Sequence, residues 1–294
     1  MRKCIVLAVT LLGVGPMIAA LYAEGENRPA KSVFAKDNLV AWCIVPFDAA
    51  NRGPEERAEM LDHLGIRKVA YDWREQHVPT FEEEILAYRK HNLEYFAFWD
   101  WHPAMAPLIK KHGIKPQVWK TLGAPDAGTE EEKVAVAAKG LMPLVDQTRE
   151  LGCKLALYNH GGWGGEPKNL VAVCKWLRKN AQADHVGIVY NLHHGHGHIQ
   201  DFAESLEIMK PYLLCLNLNG MNTNAKPYIL PLGRGEHDAK MLEIIARSGY
   251  RGPIGILDHR PELDAEKSLM ENLEGLKKLL QQRGDQKALE TFGG

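Results

Sequence analysis

The sequence predicts a single-domain (β/α)8 TIM barrel, an α/β fold, and three observations carry that prediction. Eight short apolar runs recur along the chain, and each is followed by a stretch of helical periodicity. The runs are continuous rather than alternating, as parallel strands buried on both faces require. Their span, residues 38–282, matches the roughly 250 residues that eight strand–helix units occupy. A doubly wound dinucleotide-binding sheet is disfavoured, because no G-x-G-x-x-G stands between the first strand and helix. Walker A and G-x-S-x-G motifs are missing as well.

The elements follow in order. LVAWCIVPF (39–47) is strand 1, and PEERAEMLDHLG after it is a helix with Gly65 as the natural C-cap. IRKVAYDW contains strand 2 (67–73), followed by the helix FEEEILAYRKHN. LEYFAFWDW contains strand 3 (94–99), before the helical MAPLIKKHG. KPQVWKTL contains strand 4 (116–121), and EEEKVAVAAKGLMPLVDQTRELG is the long helix behind it. KLALYNH holds strand 5 (154–159) and HVGIVYN strand 6 (186–191), separated by EPKNLVAVCKWLRKNA. DFAESLEIMKPY leads to strand 7 (213–219), DAKMLEIIARSG to strand 8 (254–258), and SLMENLEGLKKLLQQRG closes the barrel. Residues 283–294 are expected to be a C-terminal tail.

Ahead of the barrel, Arg2 and Lys3 precede an apolar run, 4–12, that Gly13, Gly15 and Pro16 interrupt before Ala19, Ala20 and Ala23. A positive start, a short apolar stretch and small residues describe a signal peptide, 1–23, followed by a polar linker, 24–37. The Gly-Pro break suits a cleaved signal better than a spanning helix. The expectation is an exported protein, periplasmic or extracellular, with no stable membrane insertion after cleavage. Cys43, Cys153, Cys174 and Cys215 are widely spaced without a C-x-x-C and read as core thiols. With 36 Lys+Arg against 37 Asp+Glu, no basic excess invites a nucleic acid.

In a barrel of this kind the site is built on the loops at the C-terminal ends of the strands. Strand 2 ends in Asp72-Trp73-Arg74 with His77 close behind, and strand 4 in Trp119-Lys120. Strand 5 ends in Asn159-His160 with Trp163 after it, strand 6 in Asn191-Leu192-His193-His194 with His196 beyond. Strand 7 ends in Asn217 and Asn219, strand 8 in Asp258-His259-Arg260. Aromatic faces for C–H stacking beside amides, imidazoles and cations are what a small-molecule carbohydrate needs. His160 and His194 are the expected acid and base, with Lys120 a donor to developing negative charge. Each feature has a plainer alternative: the tryptophans as rim cover, Asn217 and Asn219 as a buried amide network, and His193–His198 as a His-rich loop.

The order of these strand ends, the segment GIVYNLHH and the closing LGRGEHDAKMLEIIARSGYRGPIGIL resemble the xylose isomerase-like TIM barrels, the sugar phosphate isomerase/epimerase group, over residues 38–282. The resemblance implies a divalent metal held by Glu on strand 5, Asp on strand 6, His on strand 7 and Glu on strand 8. Those places hold Tyr158, Asn191, Asn217 and Leu257 here, with Asp258 next door, so the usual metal ligands are replaced. The family's Asp-x-x-His becomes Asn191–His194, which puts His194 at the substrate-facing position. The expected activity is proton abstraction beside a carbonyl of a sugar or keto-sugar, as isomerisation, epimerisation or β-elimination. The alternative is a non-catalytic carbohydrate-binding barrel that has lost its metal. Cofactor use is left open; a metal, if bound, is expected at His160, His193, His194 or His196 and to be zinc-like rather than magnesium-like. DNA-repair relatives of the group are excluded by balanced charge, the export signal and the missing ligands.

Export is checked by sequencing the N-terminus of protein from fractionated cells: a start just after Ala20 or Ala23 in the envelope fraction is expected, and a cytoplasmic chain beginning at Met1 contradicts it.

Overall fold

The computed structural model describes residues 31–293; the expected signal peptide and the linker up to residue 30 lie outside them. Eight parallel strands close into a barrel in sequence order: β1 Leu39–Trp42, β2 Lys68–Asp72, β3 Glu94–Trp99, β4 Gln117–Thr121, β5 Lys154–Tyr158, β6 Val186–Asn191, β7 Leu213–Leu218 and β8 Ile254–Leu257. Closure is made by β1 on β8, in register from Leu39↔Ile254 to Trp42↔Leu257. Around the barrel lie α1 Pro54–Leu64, α2 Phe81–Lys90, α3 Met105–His112, α4 Glu130–Leu151, α5 Pro167–Ala181, α6 Phe202–Met209, α7 Asp238–Arg247 and α8 Ala265–Arg283. Gly65 caps α1 at φ 68°, the left-handed conformation that ends a helix without strain.

Strand alternation sorts the apolar residues into two separate clusters. Inside the barrel are Val40, Trp42, Ala70, Trp119, Ala156, Tyr158, Val189, Cys215 and Leu257. Leu39, Ala41, Val69, Leu155, Leu157, Ile188 and their like pack outward against the helices. All four described cysteines are buried and unpaired, as core thiols should be.

The two largest departures from the expected boundaries lie at strand 1 and at the end segments. Strand 1 was expected to reach residue 47, but β1 stops at Trp42 because Cys43 takes a left-handed backbone, φ 58°, which ends the extended path. Residues 43–47 instead form a loop at the barrel mouth. Arg52 anchors that loop, donating to Asp48 at 2.9 Å and to Asp264 at 3.0 Å ahead of α8. The end segments are also more structured than a linker and a tail. Val33, Phe34 and Ala35 are buried, and α9, Gln286–Leu289, follows α8. Ser32 Oγ donates to Asp285 at 2.8 Å and Lys36 N to Thr291 at 2.8 Å, which docks the two ends together under the barrel.

β6, which carries much of the site, needs a glycine at its base. A Cβ on Gly187 would stand 2.3 Å from the Tyr212 carbonyl, a backbone atom that cannot step aside. Gly187→Ala is therefore expected to destabilise the fold by about 1–3 kcal/mol, by overpacking. Gly140, exposed in α4 with nothing within 4 Å of its Cβ position, is the contrast. Gly140→Ala should stabilise by about 0.5–1 kcal/mol. Urea unfolding of both variants checks the pair; a harmless Gly187→Ala would mean that β6 can shift.

Candidate functional site at the barrel mouth

A cleft opens at the C-terminal ends of the strands, with about 390 Å³ of empty space including its mouth. Cys43 and Phe47 come to it from the loop after β1, Asp72 and Arg74 from β2, and Trp99 from β3. Tyr158 and His160 come from β5, Asn191, His193 and His194 from β6, and Leu257 and His259 from β8. Its floor is the inner ring layer: Trp42 lies edge-on to Trp119 at 4.7 Å and to Tyr158 at 5.2 Å between ring centres.

Two asparagines set the geometry of the β5–β6 side. Asn159 Nδ2 donates to the Asn191 carbonyl at 3.0 Å, and Asn191 N returns a bond to Asn159 Oδ1 at 2.7 Å. The Asn191 amide then donates to the Tyr158 hydroxyl at 3.1 Å and accepts from His193 N at 3.1 Å, capping the 3-10 turn Leu192–His194. That turn aims His194 at His160, with ring centres 4.4 Å apart. His193 sits 4.6 Å from His194 and 5.1 Å from His259. Tyr228, from the loop after β7, covers His193 at 4.2 Å, and its hydroxyl lies 3.4 Å from His194 Nδ1.

Burial tunes these groups away from their usual ranges. His193 and His194 are pushed down to about 3, first by desolvation and then by the neighbouring imidazoles, so both are neutral at neutral pH. His259 is lowered by burial and by Arg74. Asp72 rises to about 7 through burial, with Arg74 opposing. Its carboxyl has no well-formed hydrogen bond, with the Val45 N–H and the Cys43 thiol as the polar groups facing it. Asp258, behind the cleft wall, rises to about 8 by burial even though Ser268 Oγ donates to it. Burial raises the Cys43 thiol well above its ordinary value, which makes it an inert wall group.

Of the residues expected at the site, Arg74, His160, Asn191, His193 and His194 line the cleft. The others are engaged elsewhere. Lys120 is ion-paired to Asp100 at 2.7 Å, so its charge is held outside the cleft wall. Trp119 is fully buried in the floor, its indole donating to Gln117 at 3.0 Å. Trp73 donates to the Asp100 carbonyl at 3.0 Å and stacks on Phe98, while His77 accepts from Arg74 N at 2.8 Å. Trp163 donates to Glu130 at 2.6 Å at the start of α4. His196 faces the His193 carbonyl at 2.9 Å. Asn159 is the strand cross-link described above. Asn217 is buried over Gly255, where a Cβ would come within 1.4 Å of its Oδ1. Asn219 lies past the end of β7 and donates to the Gly220 carbonyl at 2.8 Å, so the two amides do not share the mouth as strand alternation suggested. The sequence reading assigned no role to Cys43, Phe47, Asp72, Trp99 or His259. Asp72 and His259 were legible as strand-end residues, whereas Phe47 was hidden in an apolar run that read as strand.

The divalent metal that the resemblance implies does not fit these residues. The four corresponding positions offer a phenol already bonded to Asn191, two amides and Leu257, a donor set unsuited to a hard dication. Nor do three nitrogens of His160, His193, His194 and His196 converge within 4.8 Å; among the described residues, Glu55, Glu59 and His91 on the outer helices form such a group.

No family model matches the chain, and no curated protein matches it. Solved structures do. The 3-keto-D-glucoside 4-epimerase YcjR from E. coli is similar at a TM-score of 0.58 and 14% identity, over 84% of this chain and 100% of that one. The IolI protein with a bound zinc atom is similar at 0.63 and 15%, over 83% and 98%. The D-allulose 3-epimerase from Methylomonas sp., in complex with D-allulose, is similar at 0.57 and 13%, over 85% and 98%. The chain has the fold of the xylose isomerase-like TIM barrels.

The buried titrations predict opposed pH slopes. His193 and His194 sit below their unfolded value of about 6.5, so their contribution is present above pH 6.5 and drains as pH falls toward 3. Asp72 and Asp258 sit above their unfolded value, so theirs is present below about pH 4 and is lost as pH rises through about 7 and 8. Melting temperature against pH should fall on both sides. His194→Gln should flatten the acid limb and Asp258→Asn the alkaline one; unchanged limbs would show that these groups titrate normally.

Proposed function

We propose that this protein is an exported sugar-modifying enzyme that moves a proton on a carbon next to a carbonyl of a sugar or keto-sugar. The observation that carries the reading is the His160–His194 pair, their tilted rings 4.4 Å apart on neighbouring strand ends in a cleft that also holds Asp72 and Arg74. Structural neighbours that are sugar epimerases support the substrate class.

In this reading one group takes the carbon-bound proton, and the electron pair moves onto the carbonyl oxygen as an enolate. Returning the proton to the other face epimerises; returning it to the next carbon isomerises; expelling a β-substituent eliminates. His160 is the proposed base. His194, neutral at working pH, suits donation to the oxygen, because an uncharged imidazole is a donor matched to an enolate. The Tyr228 hydroxyl lies 3.4 Å from Nδ1, and in the tautomer that accepts from it the His194 proton is on Nε2. Asp72 is half ionised near pH 7 and is the second proton carrier in the cleft. Arg74, rather than Lys120, is the cation that lines the cleft, since Lys120 is committed to Asp100.

His160→Ala and His194→Ala are each expected to lower turnover of a 3-keto-sugar or ketose by about 10²–10⁴-fold with binding largely kept. Full activity in both variants refutes these roles. Binding of several sugars without any turnover would instead establish a non-catalytic carbohydrate-binding barrel, a reading favoured by the replaced metal positions.

A further inference from the structure

Two features indicate what kind of sugar the cleft suits, given the carbohydrate reading above. The first is Arg74. Its guanidinium carbon lies 5.6 Å from the Phe47 ring centre and 5.4 Å from that of Trp99, so two rings hold the flat group in place. Nη1 donates to the backbone carbonyls of Asp72, at 3.1 Å, and Trp73, at 2.8 Å. Among the described residues, Nε and Nη2 have no hydrogen-bond partner and no carboxylate is ion-paired to the group within 4.0 Å. Around it stand the imidazoles of His160, His193, His194 and His259, the phenols of Tyr158 and Tyr228, the Cys43 thiol, and one carboxyl, that of buried Asp72. The cleft therefore presents a fixed cation and titratable imidazoles with no committed counter-anion. His193 Nδ1 and both Asp72 oxygens are buried without a well-formed hydrogen bond, which marks the pocket as incomplete without a polar ligand.

The second feature is the loop after β7. TIM barrels frequently bind phosphate with backbone N–H groups of the loops after strands 7 and 8. Here three donors of the loop after β7 are taken. Asp238, the first residue of α7 and 1% exposed, accepts from Met221 N at 2.7 Å, Gly233 N at 2.7 Å and Gly235 N at 3.0 Å. The chain's own carboxylate fills the nest where a phosphate would dock. The anion site left open is a planar guanidinium edge, which matches a carboxylate bidentately.

We propose that the substrate is a sugar acid of the uronate class, its carboxylate docked on Arg74. Isothermal titration of the full-length protein with D-galacturonate, D-glucuronate, methyl β-D-glucoside and D-glucose 6-phosphate at pH 7 tests it. A uronate is expected to bind at least about 10-fold more tightly than the glycoside. Arg74→Met should erase that preference and Arg74→Lys keep part of it. If Arg74→Met does not fold, the ranking of the four ligands on the unsubstituted protein decides. Equal affinity for the glycoside, tighter binding of the phosphate, or a preference that survives Arg74→Met each overturn the inference. Turnover of neutral keto-sugars without any preference for acids sinks this inference and leaves the proton-transfer reading standing. If no sugar binds or reacts, both fall.

Discussion

The pairing of β1 with β8 is the constraint from which the rest of the molecule follows. Four residues on each strand meet in register, and this closes the ring of parallel strands. Closure fixes which side chains face inward, and a barrel of eight strands has room inside only for side chains. At the mouth that room is taken by Trp42, Trp119 and Tyr158. The ring layer raises the floor of the cleft, so the polar groups that matter stand at the last strand residues, such as Asp72 and Asn191, or just beyond them.

This explains how the site differs from the four-ligand pattern that the sequence resemblance implies. Tyr158, Asn191, Asn217 and Leu257 cannot assemble a charged metal cage, and two of them serve architecture instead. The Asn191 amide spans from Tyr158 to the His193 turn, and Asn217 packs over Gly255. What the layer lacks in charge, the loops provide: Arg74 braced by two rings, and His193 and His194, held neutral first by burial and then by neighbouring imidazoles. Crowding polar groups in this way costs stability at both ends of the pH scale, as functional sites often do. The Asp72 and Asp258 carboxyls, raised by burial to about 7 and about 8, belong to the same balance of charge.

Much of this was legible beforehand. Continuous apolar runs with helices between them specify a parallel barrel, because period and length are local properties of the chain. The placement of His160 and His194 also followed from sequence, since a residue at a strand's C-terminal end must reach the mouth of the barrel. Lys120 and Trp163 occupied equally good positions, yet their partners, Asp100 and Glu130, come from other strands and helices. No local pattern shows that such a side chain is already spoken for. Phe47 was missed for the opposite reason, because a left-handed turn at Cys43 converts an apparent strand into a loop at the cleft.

The amino-acid sequence by itself determined the barrel, the order of its strands and the set of polar residues delivered to one end, because hydrophobic periodicity and strand alternation are encoded residue by residue. Only the tertiary structure decided which of those polar residues remain available to a ligand. That depends on burial and on partners distant in sequence: Asp238 filling the backbone nest after β7, Asn159 bonding across to Asn191, and desolvation setting the charge of His193, His194 and Asp72.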